Sequence, residues 1–462
     1  MSDATARRRA WMLVAGLVSM CAAQTTGWPQ AGRSEEQPAL VAAPESQTPR
    51  PWTLEQCIAA AFRSNPTVWI STEGIVSAEA AVRQARSGYY PTAELTADAT
   101  LGNPRTSDSG TTVSGNSAGA DLAIDWTLFE TGRSESVGES RSELTVARLA
   151  HVITLRDLAR DVAVDYYAVL AARELVQVAE DGLQAAKEHL QAVEARIRHG
   201  TTAEVDRFAA DSDVAQADLD LIDARTGVLL AVARLRNLIG LDHTVAFDVA
   251  PAGAEPEVPA PPLSEAVAQA LLRRPEIAEA EASRRAREYA AERADKARGP
   301  SLSLSTSLGY GLSTGNSTGG TVRLSGGLSW PLFSRALAAS EDSARSALRR
   351  AQASQRSQAL GVGLEVEEAL IEVERTAQQI QTGEKAVAAA EARLRAARGR
   401  YANEVGILLD LTDARADLTS AQASLISVRF DHQVALVALR HAMGNLPIPS
   451  PTETENGGDG RG

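Results

Sequence analysis

The chain repeats itself. Residues Leu54 to Pro66 (LEQCIAAAFRSNP) align with Leu263 to Pro275 (LSEAVAQALLRRP) at an offset of 209, which also carries Pro91 onto Pro300. After a short length change the register resumes at 204. Trp126, Leu128 and Phe129 fall on Trp330, Leu332 and Phe333, Arg196 on Arg400, Asp206 on Asp410 and Gly240 on Gly444. A spacing kept across so many helix and turn markers is the trace of a duplicated structural unit. The fold is therefore expected to contain two similar halves, residues 53–248 and 263–446.

Between Pro104 and Pro251, and again between Pro331 and Pro447, there is no proline, which leaves room for very long helices. In the first gap, Leu149, Val152, Leu155, Leu158, Val162, Tyr166 and Val169 keep the three-and-four spacing of a helix with one buried stripe. That helix is expected from about Ser134 to Arg198; roughly 65 residues at 1.5 Å each make a rod of about 100 Å. A turn near His199-Gly200-Thr201 returns the chain toward Gly240. The second half does the same from about Ala339 to Gly444, turning near Asn403 to Gly406. Aromatic residues are only 4% of the 462 positions, which fits long Ala- and Leu-rich helices better than a large globular core.

The segments ahead of the long helices have period two. Thr92 to Leu101 (TAELTADATL) sets Ala93, Leu95, Ala97, Ala99 and Leu101 on one face, and Thr92, Glu94, Thr96, Asp98 and Thr100 on the other, the pattern of a strand. Leu122, Ile124, Trp126 and Leu128 alternate with Asp121, Ala123, Asp125 and Thr127. Leu302, Leu304, Leu308, Tyr310 and Leu312 alternate with Ser or Gly, broken only by Thr306, and Val322, Leu324, Leu328, Trp330 and Leu332 oppose Thr321, Arg323, Ser325 and Ser329. Strand pairs are expected at 92–104 with 118–130 and at 301–312 with 320–333. Ser/Thr/Gly/Asn-rich loops join each pair, and strands of about ten residues match the apolar band of an outer membrane. Four strands cannot close a barrel, and open edges in lipid leave backbone groups unsatisfied. The chain must oligomerise; two copies give eight strands and three give twelve. If the apolar stripes face lipid, Glu94, Asp98, Asp121, Asp125 and Arg323 line the lumen.

Arg7, Arg8 and Arg9 precede an apolar run from Trp11 to Met20 and the small residues Ala22 and Ala23, so residues 1–23 read as a cleaved secretory signal. Cys21 has a second reading as an acylated first residue, although Met20 stands where the lipid-attachment pattern wants a small side chain. Loss of residues 1–23, with three Arg and one Asp, takes the formal charge from −13 to −15, which argues against nucleic acid as a partner. Residues 24–52, 249–262 and 447–462 read as a leading segment, a linker and a disordered acidic tail.

No catalytic constellation emerges, and neither a cofactor nor a metal is expected. Gly115-Asn116-Ser117-Ala118-Gly119 fits the nucleophile-elbow pattern but lies in a polar loop leading into a strand, whereas that motif needs a strand-turn-helix context. The six histidines show no metal-ligand spacing. Two classes of function therefore stand side by side, a transport channel and an exported structural coiled coil. The strands favour the channel, because a structural rod has no need of four membrane-length segments.

From Leu54 to Asn445 the sequence resembles the TolC-type outer-membrane efflux family. The resemblance rests on Asn65-Pro66 and Arg274-Pro275, on Tyr90-Pro91 at a strand start, on the Trp-x-Leu-Phe endings at Trp126 and Trp330, and on a hairpin tip running from Arg400-Tyr401 through Gly406 and Asp410 to Asp413-Ala414. It implies a homotrimer with a twelve-stranded barrel in the outer membrane and a helical tunnel through the periplasm. It further implies a passive exit docked to a periplasmic adaptor and an inner-membrane transporter. The family's constriction, carried over by position, falls on Asp410 and Asp413, with Tyr401 as a latch. Glu404 departs from the family's usual glycine.

Overall fold

The computed structural model describes residues 51–101, 105–106, 112–113, 116–199, 203–251, 261–313, 316–403, 405–406 and 408–445. The expected signal with Cys21, the expected leading segment to residue 50, Glu404 and the expected tail lie outside the described residues. In chain order the elements are α1 (Leu54–Ser64), α2 (Pro66–Ser87), β1 (Thr92–Leu101), β2 (Arg105–Thr106), β3 (Thr112–Val113), β4 (Asn116–Glu130), α3 (Arg133–Arg198) and α4 (Glu204–Ile239). The second half supplies α5 (Leu263–Arg273), α6 (Pro275–Lys296), β5 (Ser301–Ser313), β6 (Asn316–Ser329), α7 (Arg335–Ala402) and α8 (Leu408–Ala442).

Each half starts with a helix pair broken at a proline. Thr53 opens α1 with a reciprocal capping box to Gln56. Pro66 has no N–H to continue α1, so a new helix begins with Pro66 in its first turn and Asn65 as its cap. Asn65 Oδ1 accepts from the Thr67 amide at 2.7 Å, while its Nδ2 donates to the Leu238 carbonyl at 2.7 Å. That carbonyl lies at the end of α4, where Gly240 turns the chain at φ 84° and a Cβ would come within 2.6 Å of the Ser64 carbonyl oxygen. Only glycine allows both. The second half rebuilds the joint with Gly444 at φ 76° against Arg273.

The long helices exist as their periodicity requires: α3 has 66 residues and α7 has 68, about 100 Å each. Near the sheet the helices lie side by side in the order α2, α3, α6, α7; toward the hairpin tips the order is α4, α3, α8, α7. Both halves thus share one layer. Tyr166, Val162 and Val169 of α3 bury against Cys57, Ala61, Leu235 and Ile239, and Val362 and Val366 of α7 do so against Ala266, Ala270, Ala435 and Leu439. The ends of the expected leading segment and linker belong to the first of these cores. Trp52 meets Phe247 edge-on at 5.2 Å, and the Tyr166 hydroxyl donates to the Ala250 carbonyl at 2.8 Å.

The four long strands form one antiparallel sheet in the order β1-β4-β5-β6, with β1 and β6 at its edges. The last strand ends at Ser329 and not at 333, because Pro331 has no N–H for the ladder. β4 starts two residues earlier than its alternation indicates, and residues 102–104 lie outside the described residues. A short ribbon, β2 with β3, lies between β1 and β4 in the chain.

Candidate pore surfaces of the sheet and the hairpin tips

The register decides which side chains share a face. Thr92 opposes Asp125, Thr96 opposes Asp121 and Asp98 opposes Gly119. Asp121 in turn opposes Gly309, and Ser307 opposes both Ala123 and Arg323. Glu94, Asp98, Asp121, Asp125 and Arg323 therefore lie on one side of the sheet, an excess of three negative charges per chain. Glycines make room for them: a Cβ on Gly119 would stand 3.1 Å from Asp98 Oδ1, and one on Gly309 would collide with the Asp121 carboxylate.

The opposite face carries Leu95, Leu122, Ile124, Trp126, Leu304, Leu308, Tyr310, Val322, Leu324 and Leu328. Of these, Leu95, Val322, Leu324 and Leu328 are exposed at 62%, 78%, 70% and 71%. Among the described residues no helix packs on this face, so it is an apolar surface of the kind that lipid covers. At the helical end of the sheet, Trp126 Nε1 donates to the Tyr89 carbonyl and Trp330 Nε1 to the Arg298 carbonyl, each at 3.1 Å. Tyr89, Tyr90, Phe129 and Phe333, close in sequence to these two tryptophans, are also exposed, a set of rings of the kind that gathers at a membrane interface.

At the far end of the layer, α7 ends at Tyr401–Ala402 and α8 starts at Leu408. Asp410 sits half-buried in the first turn of α8 and Asp413 is exposed one turn later. Neither makes an ion pair among the described residues. Leu411 and Ala414, between and beyond them, are buried with Leu394 and Ala397 of α7, which fixes the two carboxylates on the face away from that contact. Asp410 also lies where the helix dipole favours a carboxylate, as Asp206 does in α4.

Tyr401 does not stand alone. The Arg196 guanidinium lies 4.5 Å over its ring and donates to its carbonyl at 3.4 Å, and the His189 ring meets it at 5.8 Å. The seam between the two hairpins thus joins α3 to α7 through three residues, two of which sequence reasoning left unassigned. Arg196 was visible only as the repeat mate of Arg400; nothing local marks His189. Among the described residues the seam is under-satisfied: the Tyr401 hydroxyl, His189 Nε2 and Arg415 Nε are buried with no hydrogen-bond partner. Burial, then Arg415 and Arg196, push the His189 pKa down to about 4. Burial and Arg398 pull Arg415 below its ordinary range against the opposing pull of Asp213 and Glu188, and burial raises Asp213.

A second charged cluster fixes the root of the second hairpin. Arg156, 3% exposed, meets Glu276 at 3.2 Å and donates to the His441 carbonyl at 2.6 Å; Arg274 pairs with Glu276 at 3.0 Å and also with Glu365. Burial would raise Glu276, but the hydrogen bonds from Arg274 and the Arg156 charge hold it below the ordinary carboxylate range. Each charged group has an opposite partner, as a structural cluster requires, although Arg156 Nε is left without a hydrogen bond among the described residues. Residues 116–119 of the nucleophile-elbow pattern lie within β4, not at a strand-to-helix turn. No cluster of His, Cys, Asp or Glu fit for a metal occurs among the described residues.

The family model for outer membrane efflux proteins matches residues 61–241 and 266–445, one segment in each half. The chain belongs to the outer membrane efflux protein family. Protein CyaE of Bordetella pertussis is 26% identical over 205 residues, which is 44% of this chain and 43% of that protein, so the match spans less than half of that relative's length. The fold is that of CusC, with a TM-score of 0.72 at 20% identity, covering 85% of this chain and 92% of that one. It is also that of the outer membrane channel CmeC of Campylobacter jejuni, with a TM-score of 0.71 at 16% identity and 85% of each chain covered. Family membership places the sheet in the outer membrane and the long helices in the periplasm, and it decides against the structural coiled coil.

Proposed function

We propose that three copies of this chain form a passive outer-membrane exit channel, a conduit for substrates handed over by an inner-membrane transporter through a periplasmic adaptor. The sheet carries this proposal: it is apolar on one face, acidic on the other and unpaired at both edges. β1 and β6 run antiparallel to one another, so the β6 edge of one copy can pair with the β1 edge of the next and close a twelve-stranded barrel, which lipid demands. The flanking helices repeat this logic. Leu229 and Leu230 on α4 and Leu360, Leu364 and Ile371 on α7 are exposed large apolar residues on the two outer helices of the layer, surfaces for neighbouring copies to cover.

Within this channel Asp410 and Asp413 form the periplasmic constriction and Tyr401 latches it. Like charges brought together around the axis repel, and they attract cations to the narrowest point. The channel itself needs no catalytic group or cofactor. The purified protein is expected to migrate as an SDS-resistant, heat-modifiable trimer. In planar bilayers, changing Asp410 and Asp413 together to Ala should raise its single-channel conductance and weaken block by divalent cations. A monomer would refute the channel; a trimer whose conductance and block ignore the change would refute the constriction alone.

A further inference from the structure

A cavity of about 360 Å3 opens at the joint between α2 and α3, directly below β1, lined by Arg86, Tyr89, Tyr90, Ser134, Val137 and Arg141. Its meaning comes from comparing the two halves. The duplication carries Arg86 onto Asp295, Tyr89 onto Arg298, Val137 onto Glu341 and Arg141 onto Arg345. The joints are structurally equivalent, since Trp126 donates to the Tyr89 carbonyl as Trp330 does to that of Arg298.

In the second half the joint is electrostatically closed. Glu341, 7% exposed, binds Arg298 at 2.5 Å and also Arg345, and Arg345 lies 3.6 Å from Asp295. In the first half both carboxylates are gone, replaced by Val137 and Arg86. Arg141 keeps its charge but has no carboxylate partner among the described residues, and neither has Arg86. Beside them Arg133, 8% exposed, is held 5.0 Å over the Tyr89 ring; it donates to the Thr127 carbonyl at 2.9 Å and lies 3.7 Å from the Glu130 carboxylate, so its charge is already balanced and the uncompensated charges are those of Arg86 and Arg141. The first half thus keeps one basic group of the ion cluster, Arg141, gains a second in Arg86 where the other half has Asp295, has Tyr89 in place of Arg298, and lacks both carboxylates, in a chain that is otherwise strongly acidic.

We propose that this cavity binds the phosphate headgroup of an anionic phospholipid of the periplasmic leaflet, one per chain, with the phosphate standing where Glu341 stands in the other half. The position selects a lipid over a free ion. Tyr89 and Tyr90 are 46% and 69% exposed, and Trp126 of the lipid-covered face rests on the Tyr89 carbonyl. The turn therefore opens at headgroup depth, where tyrosines present a ring to acyl chains and a hydroxyl to the phosphate. Two forked guanidiniums suit phosphate oxygens. The inference rests on the membrane placement of the sheet, not on the gate or on what the channel carries.

The test is native mass spectrometry of the detergent-purified assembly with phosphatidylglycerol, with diacylglycerol and with inorganic phosphate. The decisive variant, Arg86→Asp with Val137→Glu, restores the two carboxylates of the second half beside Arg141, the counterpart of Arg345; Arg86→Gln with Arg141→Gln, which leaves Val137 in place, is the second variant. The parent should retain one phosphatidylglycerol per chain, and both variants should bind it at least roughly tenfold more weakly. Equal retention by the transplant, or equal retention of diacylglycerol by the parent, would overturn the site. Displacement of the lipid by millimolar inorganic phosphate would assign it to a free anion instead. The oligomer mass is read in the same spectrum, so failure of the trimer is separable from failure of the lipid site.

Discussion

Acid should loosen the seam between the two hairpins, and His189 is the group through which it acts. Its pKa is about 4 in the folded chain against an ordinary 6.5, so the neutral form is the one the seam tolerates. The sign follows: above about pH 6.5 neither state is protonated and the seam keeps its full stability. As pH falls toward 4 the opened seam takes up a proton that the closed seam refuses, and closure is progressively weakened. The shift amounts to about 3 kcal/mol when fully expressed, and to about 2 kcal/mol at pH 5. Screening offers little relief, because His189 is only 4% exposed and faces Arg196 on its own helix and Arg415 on α8. The carboxylates of Asp213 and Glu188 act mainly on Arg415. Hydrogen exchange followed by mass spectrometry on peptides around residues 185–199 and 408–418, corrected for intrinsic rates, should show protection falling roughly twentyfold between pH 7 and pH 5. His189→Leu should remove most of that fall. An equal pH dependence in parent and variant would refute the reasoning.

Three further outcomes are expected. Gly240→Ala should destabilise the assembly by more than about 2 kcal/mol, from the left-handed backbone and the collision with the Ser64 carbonyl, read as a lower temperature for loss of the SDS-resistant form; Gly363→Ala, in the interior of α7 with open space around it, should instead be neutral or stabilising by up to about 1 kcal/mol. Arg156→Met should cost about 3 kcal/mol by leaving Glu276 short of one partner, measured the same way. The barrel face with three excess negative charges per chain should make the channel cation-selective. Asp98→Asn with Asp125→Asn should shift the reversal potential in a salt gradient toward zero, an effect screened over a Debye length of about 10 Å at 0.1 M salt.

Much of this architecture was legible in the sequence because it depends on short-range rules. Proline-free stretches with one apolar stripe have few alternatives to a long helix, and strict alternation from Thr92 to Leu101 fixes both the strand and its faces. The β6 end was misplaced because Trp330 and Leu332 continue the alternation past Pro331, and side-chain pattern does not register a missing N–H. Trp52 escaped because it ends a leading segment whose Pro and Gly content resembles a spacer, and its partner Phe247 lies almost 200 residues away. The seam was illegible for the same reason. His189 and Arg196 acquire meaning only through Tyr401, more than 200 residues on. The charge difference at the α2–α3 joint could have been found by setting Val137 against Glu341 and Arg86 against Asp295.

Duplication preserved what the backbone needs and released what it does not. Gly240 and Gly444, Pro66 and Pro275, and Trp126 and Trp330 serve conformations or main-chain partners that both halves must keep. At the same joint, Asn65 closes the first half with neutral hydrogen bonds and Arg274 closes the second with ion pairs, since either set of donors can satisfy that position. In the proposed trimer this gives six similar hairpins around the axis with chemistry that repeats only three times. The hairpin tips are where the difference matters. Asp206 and Asp410 occupy equivalent first-turn positions and are both half-buried, so that level carries six carboxylates. Asp413 corresponds to Ala209, so the next level carries three, all from the second half. Asp413 is also the exposed one of the pair, so in the proposed trimer its charge would be the one that reduces a nearly sixfold end to a threefold constriction.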